Sequence, residues 1–220
     1  MRVSVVLRRQ TDNMELRARI IAQAKGQFMR LGIRSVSMDD ICSQLGISKK
    51  TIYQHFKDKD ELVDIVLQEE IAVMQNEAIG CCSPSKDAVD EIFNTMQLIT
   101  KQLANMNPVV LVDLHKYHFA SFQQFMEHKN TFLLEIISKN LKRGMAEGYY
   151  REDLQVEILA KYRLESMMMG FNLDVFPTSK YNLAEVSIAI IENFLYGLAT
   201  EKGFKLIEAY KKQRAQIHVQ

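Results

Sequence analysis

Near residue 50 the side chains able to do chemistry are cations, an amide and a phenol, with no nucleophile paired to a base. In Ser48-Lys49-Lys50-Thr51-Ile52-Tyr53-Gln54-His55-Phe56, Ile52 and Phe56 are four apart, so on a helix they share the inward face. Lys50 and Gln54 then point most directly away from the core, with Thr51 and Tyr53 beside them. A cationic, polar face of this size suits a major groove, where Lys meets guanine acceptors and Gln can read adenine. It suits a solvated helix surface as well, although an exposed Tyr53 is harder to ascribe to solvation. Lys59 follows at the start of the next helix, where free backbone N–H groups and a cation can jointly hold a phosphate.

Other groupings point elsewhere. His115 and His118 are three apart, with Glu127 and His128 nearby, as in a metal or acid–base cluster. No second paired motif completes a tetrahedral set, so no metal is expected. Cys42, Cys81 and Cys82 are odd in number and two are adjacent, a poor disulfide framework that fits a reducing compartment. There is no phosphate-cradling glycine loop and no Gly-x-Ser-x-Gly elbow. An enzyme is therefore unsupported, and no cofactor is expected. His115, Tyr117, His118, Phe119, Phe122, Phe125, Met126 and Phe132 fall within 18 residues, and Met167-Met168-Met169 lie on a later helix. Phe and Met of this kind either pack as core or line a cavity for a soft apolar ligand. For a cavity, the expected wall is Phe93, Met96, Phe119, Phe122 and Met167, with Tyr117, His118 or Tyr162 as polar anchor. Charged groups are sparse in that set, which favours a neutral or weakly charged lipophilic molecule.

The elements that must position these groups are helices. Of 220 residues 47% are hydrophobic and 25% charged, which excludes wholesale disorder, and only 9 Gly and 3 Pro interrupt the chain. Leu16, Ile20, Ala24, Phe28 and Leu31 recur at helical spacing up to Gly32. Ser37 and Asp40 form a capping-box pattern ahead of Ile41 and Leu45, and Gly46 ends that helix. Ser48 caps a helix predicted over Lys49–Phe56, and Asp58 with Glu61 opens another that runs to about Ile79. Two short helices joined by a glycine-containing turn form a helix-turn-helix. A loop is expected at Gly80–Ser85. Further helices are expected at about Lys86–Met106, from Asn107-Pro108, and at about Asn130–Gly148, Leu154–Gly170, Asn182–Ala199 and Lys202–Gln213. The fold class is all-α. The spacing predicts a flexible extension over 1–13, with Met14 a possible start, a DNA-binding domain over 14–60, a body over 61–214 and a tail over 215–220.

Lys+Arg number 28 and Asp+Glu 27, so the net charge of +1 excludes a uniformly basic coat. The charges are nonetheless segregated. Up to Leu62 there are 12 basic against 7 acidic residues, and beyond it 16 against 20. A basic head on an acidic body is what contact between the head alone and a polyanion requires, though a chance imbalance gives the same arithmetic. The apolar start Met1–Leu7 is too short for a signal sequence, and no apolar segment approaches the ~20 residues of a bilayer span. A cytoplasmic protein with no membrane partner is expected.

Ile20 to Gly32, Ser37-Met38-Asp39-Asp40-Ile41-Cys42, Leu45-Gly46-Ile47-Ser48, Thr51-Ile52-Tyr53-Gln54-His55-Phe56 and Lys59-Asp60-Glu61-Leu62 together resemble the N-terminal domain of TetR-family transcriptional repressors, without a gap. The resemblance implies that Thr51, Tyr53 and Lys59 grip phosphates and that Lys49 to His55 meets bases. The DNA-binding candidates are thus Ser37, Ser48, Lys49, Lys50, Thr51, Tyr53, Gln54, His55 and Lys59. The sequence departs from the family pattern at Lys50, where a small residue is usual, and at Gln54, where an aromatic is common. Base preference is therefore this chain's own. The resemblance also implies a homodimer built from Leu154–Gly170 and Asn182–Ala199, and a small-molecule effector site in the body. The Asn182–Ala199 helix is apolar on more than one stripe, which calls for either central burial or a second subunit. Val186, Ile190 and Phe194 are its candidate interface residues. The function implied is a ligand-responsive regulator, a repressor on palindromic operator DNA that is released by a lipophilic effector. A helical adaptor for protein partners is the alternative.

Overall fold

A computed structural model describes residues 2–217, with side chains over 13–214 apart from Cys82. Among these residues the chain forms α1 (Arg2–Leu31), α2 (Met38–Leu45), α3 (Lys49–Ile52), α4 (Lys59–Cys82), α5 (Ala88–Leu103), α6 (Val109–Tyr117), α7 (Phe119–His128), a π-helical turn (Lys129–Leu133), α8 (Leu134–Ala146), α9 (Val156–Met169), α10 (Leu183–Leu198) and α11 (Glu201–Ile217). An isolated antiparallel bridge joins Tyr150 to Ala199. No helix among the described residues is long and apolar enough to cross a membrane.

Several boundaries differ from the sequence expectation. The backbone is helical from Arg2, where an extension over 1–13 was expected, because no proline interrupts the stretch and Gly26 alone weakens it. The side chains of 1–12 lie outside the described residues. α4 continues through Gly80 to Cys82, into the expected loop. The stretch after Pro108 breaks at His118, whose φ of −132° and ψ of 58° leave the helical region. A second helix then runs on through the π turn into α8.

The chain divides into two compact units, Met1–Ala72 with Asn105–Phe125, and Val73–Ala104 with Met126–Gln220. The first, the head, does not stop at residue 60. Its core joins Ile20, Ala24, Phe28, Ile41, Ile52, Phe56, Leu62 and Val66 to Val110 and Leu114 of α6. Asp113, also on α6, is buried and accepts the Arg34 backbone N–H at 2.8 Å. Gly32, at φ +84°, makes the turn there, and a Cβ would lie 3.0 Å from Asp113 Oδ2.

The second unit, the body, is centred on Val89, Phe93, Leu141, Tyr150, Ala160, Ile191, Leu195 and Ile207. Tyr150 is fully buried, its hydroxyl 3.2 Å from both the Ala88 carbonyl and Asn140 Oδ1. Desolvation of the phenolate pushes its pKa well above the ordinary tyrosine value. The ring lies where a Cβ on Gly144 would be, 2.0 Å away, so only glycine fits on α8 at that position.

Candidate nucleic-acid interface

The surface around α3 is assembled by local capping. Ser37 Oγ accepts the Asp40 N–H at 3.2 Å while Asp40 Oδ2 accepts the Ser37 N–H at 2.8 Å, closing the capping box of α2. The hydrogen bonds from Ser37 hold the Asp40 carboxyl below the usual carboxylate range. Gly46, in the left-handed region at φ +65°, ends α2 and turns the chain. Ser48 Oγ then accepts the Thr51 N–H at 3.1 Å, starting α3.

The α-helical part of α3 is shorter than the predicted Lys49–Phe56. After Ile52 the bonds shift to i→i−3, Gln54 N–H to Thr51 and His55 N–H to Ile52, which tightens the last turn. Ile52 and Phe56 are nonetheless buried, so the inward face is as expected. Lys49, Lys50, Tyr53 and Gln54 are exposed, Thr51 and His55 half-buried, and Ser37 and Ser48 exposed as caps. Tyr53 is 51% exposed. Lys49 Nζ lies 2.6 Å from Asp39 Oδ2, and that hydrogen bond raises its pKa. Both groups are solvent-exposed, so the pair adds little stability.

Lys59 is half-buried. Its ammonium donates to the Ile33 carbonyl at 2.6 Å and lies 6.0 Å from the Phe28 ring centroid, and burial draws its pKa down. One of its three N–H donors thus ties α4 to the loop after α1, and two remain for a phosphate.

The eight expected effector residues fall into both units. Tyr117, His118, Phe119 and Phe122 belong to the head, while Phe93, Met96, Tyr162 and Met167 belong to the body. Two of the three candidate anchors already have partners in the head. Tyr117 hydroxyl accepts from Arg34 Nη1 at 2.7 Å, and His118 Nδ1 is 2.6 Å from Asp60 Oδ1. Phe122 is half-buried against the His115 ring, with centroids 4.6 Å apart, and Phe119 is exposed. In the body Phe93 and Met96 are core residues, Met167 is half-buried and Tyr162 is exposed. Of the dimer candidates, Val186 and Phe194 are buried within their own chain and Ile190 is half-buried. Large exposed apolar side chains on α9 are Ile158, Tyr162 and Met169.

Pattern reading did not single out the buried charges of the body. Lys129 and Arg163 are only 2% and 5% exposed, and His128 is buried with Nε2 unpaired among the described residues. The helical register that buries Ala160 and Leu164 also places Arg163 inward, and that was the signal available.

Residues 20–66 match the family described as bacterial regulatory proteins, tetR family. Over 109 residues the chain is 29% identical to the HTH-type transcriptional regulator YvaF of Bacillus subtilis, a match covering 46% of this chain and about half, 53%, of that protein. It is 23% identical over 158 residues to the HTH-type transcriptional repressor KstR2 of Mycobacterium tuberculosis, covering 66% of this chain and 74% of the other. Among solved structures, the ketosteroid transcriptional regulator KstR2 superposes with a TM-score of 0.58 at 19% identity, covering 84% of this chain and 95% of that one. A TetR-family transcriptional regulator from Agrobacterium tumefaciens superposes with a TM-score of 0.72 at 16% identity, covering 86% of this chain and 100% of that one. At such identities the superpositions establish the fold.

Proposed function

This chain belongs to the TetR family of transcriptional regulators, and from that premise we propose that it is a homodimeric repressor acting in the cytoplasm, which binds palindromic DNA and is released by a small lipophilic effector. The observation that carries the reading is the outward display of Lys49, Lys50, Tyr53 and Gln54 on a helix held from within by Ile52 and Phe56. Lys50 and Gln54 reach base edges, while Thr51, Tyr53 and Lys59 hold phosphates on either side. Dimer symmetry then requires a near-palindrome with half-sites about one helical turn apart, ~34–36 Å, or a small multiple of it.

The dimer face is assigned to α9 and α10. Ile158, Tyr162 and Met169 supply its exposed apolar surface, with Ile190 at its edge. Val186 and Phe194, buried within the chain, support that face from behind. Effector and operator are coupled by linkage. A molecule that prefers the conformer unable to span both half-sites weakens DNA binding, typically by about 1–3 kcal/mol.

Selection from random duplexes at low salt tests the reading. A two-fold symmetric site is expected to emerge, and its absence after exhaustive rounds rejects the regulator in favour of a protein-binding adaptor.

A further inference from the structure

Among the described residues, four charged side chains are buried in the body, and three have an opposite charge at hand. Asp90 accepts from Arg214 at 3.0 Å, Glu91 accepts from Arg143 at 3.1 Å, and Lys129 donates to Glu165 at 2.8 Å. The fourth is Arg163 on α9, and among the described residues no carboxylate pairs with it. Its guanidinium approaches Ser166 Oγ at 3.5 Å, the outer limit of a hydrogen bond, and lies 5.9 Å from the Phe194 ring centroid. The Ser166 hydroxyl donates its own hydrogen to the Arg163 carbonyl at 2.7 Å. A guanidinium carries five N–H donors, so most of its hydrogen-bonding capacity has no partner of this kind.

Leaving an ion in an apolar interior without a counter-charge is among the costliest arrangements a fold can hold. Burial draws the Arg163 pKa down only to about 10, so the group is still a cation at neutral pH. A carboxylate from a second subunit would have to pass the exposed side of α9 and the Phe194 ring to neutralise it. The exposed residues of α9 are Glu157, Ile158, Lys161, Tyr162, Glu165 and Met169, whereas Arg163 is buried, with Ala160 and Leu164, beside Phe194. A counter-ion reaching it from inside the body is a ligand.

We propose that Arg163 anchors the effector of this regulator, and that the effector is an organic acid whose carboxylate meets the guanidinium while its apolar portion lies against the body's core. The inference rests on the reading of the body as an effector domain, and it replaces a neutral lipophile by an amphiphilic anion. The planar guanidinium suits a carboxylate because two parallel N–H donors match its two oxygens. A site built around that charge rejects the uncharged analogue, since the guanidinium would again be left without a partner.

The test uses the full chain bound to its selected DNA site, with decanoate, phenylbutyrate and naphthoate as probes, each beside its methyl ester. Binding is read by thermal shift and by DNA release. At least one acid is expected to bind at least tenfold more tightly than its ester and to release DNA. Arg163→Met is expected to raise the melting temperature of the ligand-free protein, retain DNA binding and erase the preference for acid over ester. Arg163→Lys should keep part of that preference. Equal binding of acid and ester, or an Arg163→Gln variant that weakens both equally, overturns the proposal and makes Arg163 a packing residue. Release by neutral lipophiles while every carboxylate is inert overturns it too, but leaves the effector reading standing. Failure of any molecule, acidic or neutral, to release DNA removes the effector reading itself.

Discussion

The head and the body place their cations in opposite surroundings. Lys49 and Lys50 stand in solvent on a short helix, one loosely paired with Asp39. Lys129 and Arg163 are enclosed, one tied to Glu165 and the other without a carboxylate. An exposed lysine needs no counter-ion to be stable and can displace the cations condensed on a polyanion's phosphates. An enclosed cation without a partner carries its desolvation cost until an anion meets it. The first arrangement suits a long, repetitive polyanion, and the second suits one small molecule. The same contrast extends to packing. A Cβ on Gly46 of the head meets nothing within 4 Å, whereas one on Gly203 of the body falls 2.0 Å from the Tyr149 carbonyl oxygen.

The largest expected effect is therefore steric and lies in the body. Gly144→Ala and Gly203→Ala should each cost about 3 kcal/mol, because a rigid ring in one case and a backbone oxygen in the other must move. Gly46→Ala should cost about 1–2 kcal/mol, the conformational penalty alone. Urea unfolding of the three variants measures the difference, and equal losses would erase the contrast. Next come the ion pairs. Glu165→Gln strands the Lys129 ammonium and should cost about 1–3 kcal/mol, reduced because Glu165 itself is largely exposed. Asp39→Asn, which frees Lys49, should change stability by less than about 0.5 kcal/mol.

On DNA the order reverses. Lys50→Ala should lower the slope of log affinity against log salt by about 1. Lys129→Met should leave that slope unchanged, as fluorescence anisotropy across a salt series would show. The smallest effect is a titration. Burial holds the His128 imidazole below its ordinary value of 6.5. The unfolded chain then takes up that proton first, so its contribution to stability is complete above about pH 6.5 and is lost as pH falls through the lower folded value. His128→Phe keeps the stacking on Phe132 and should flatten this part of the stability–pH curve relative to the unmodified chain.

The head was legible because its signals are local. Ser37 with Asp40, Gly46, and Ser48 with Thr51 each act within a few residues, and the helix boundaries they predict match the structure closely. The end of α3 was not legible, since the tightening after Ile52 depends on how Phe56 docks into the core. The body's signals are non-local. Tyr150 against Gly144, and Gly203 against Tyr149, pair positions that no periodicity links. Counting charges could not separate Arg163 from a surface arginine, because the signal lay in the register it shares with Ala160 and Leu164 and not in its charge. The aromatic cluster read as one group from His115 to Phe132 is divided by the break at His118 and by the limits of the two units.

The return of α6 to the head has a consequence for biosynthesis. Val110 and Leu114, with buried Asp113 beside them, complete a core whose other buried apolar residues precede Ala72, and Val73–Ala104 is made in between. A nascent chain therefore exposes part of the head's apolar interior until Phe125 has left the ribosome. Closing so long an excursion adds little equilibrium cost, since loop entropy grows only logarithmically, but it delays folding in time. A message broken before that point yields a head with an open seam, which chaperones and proteases remove.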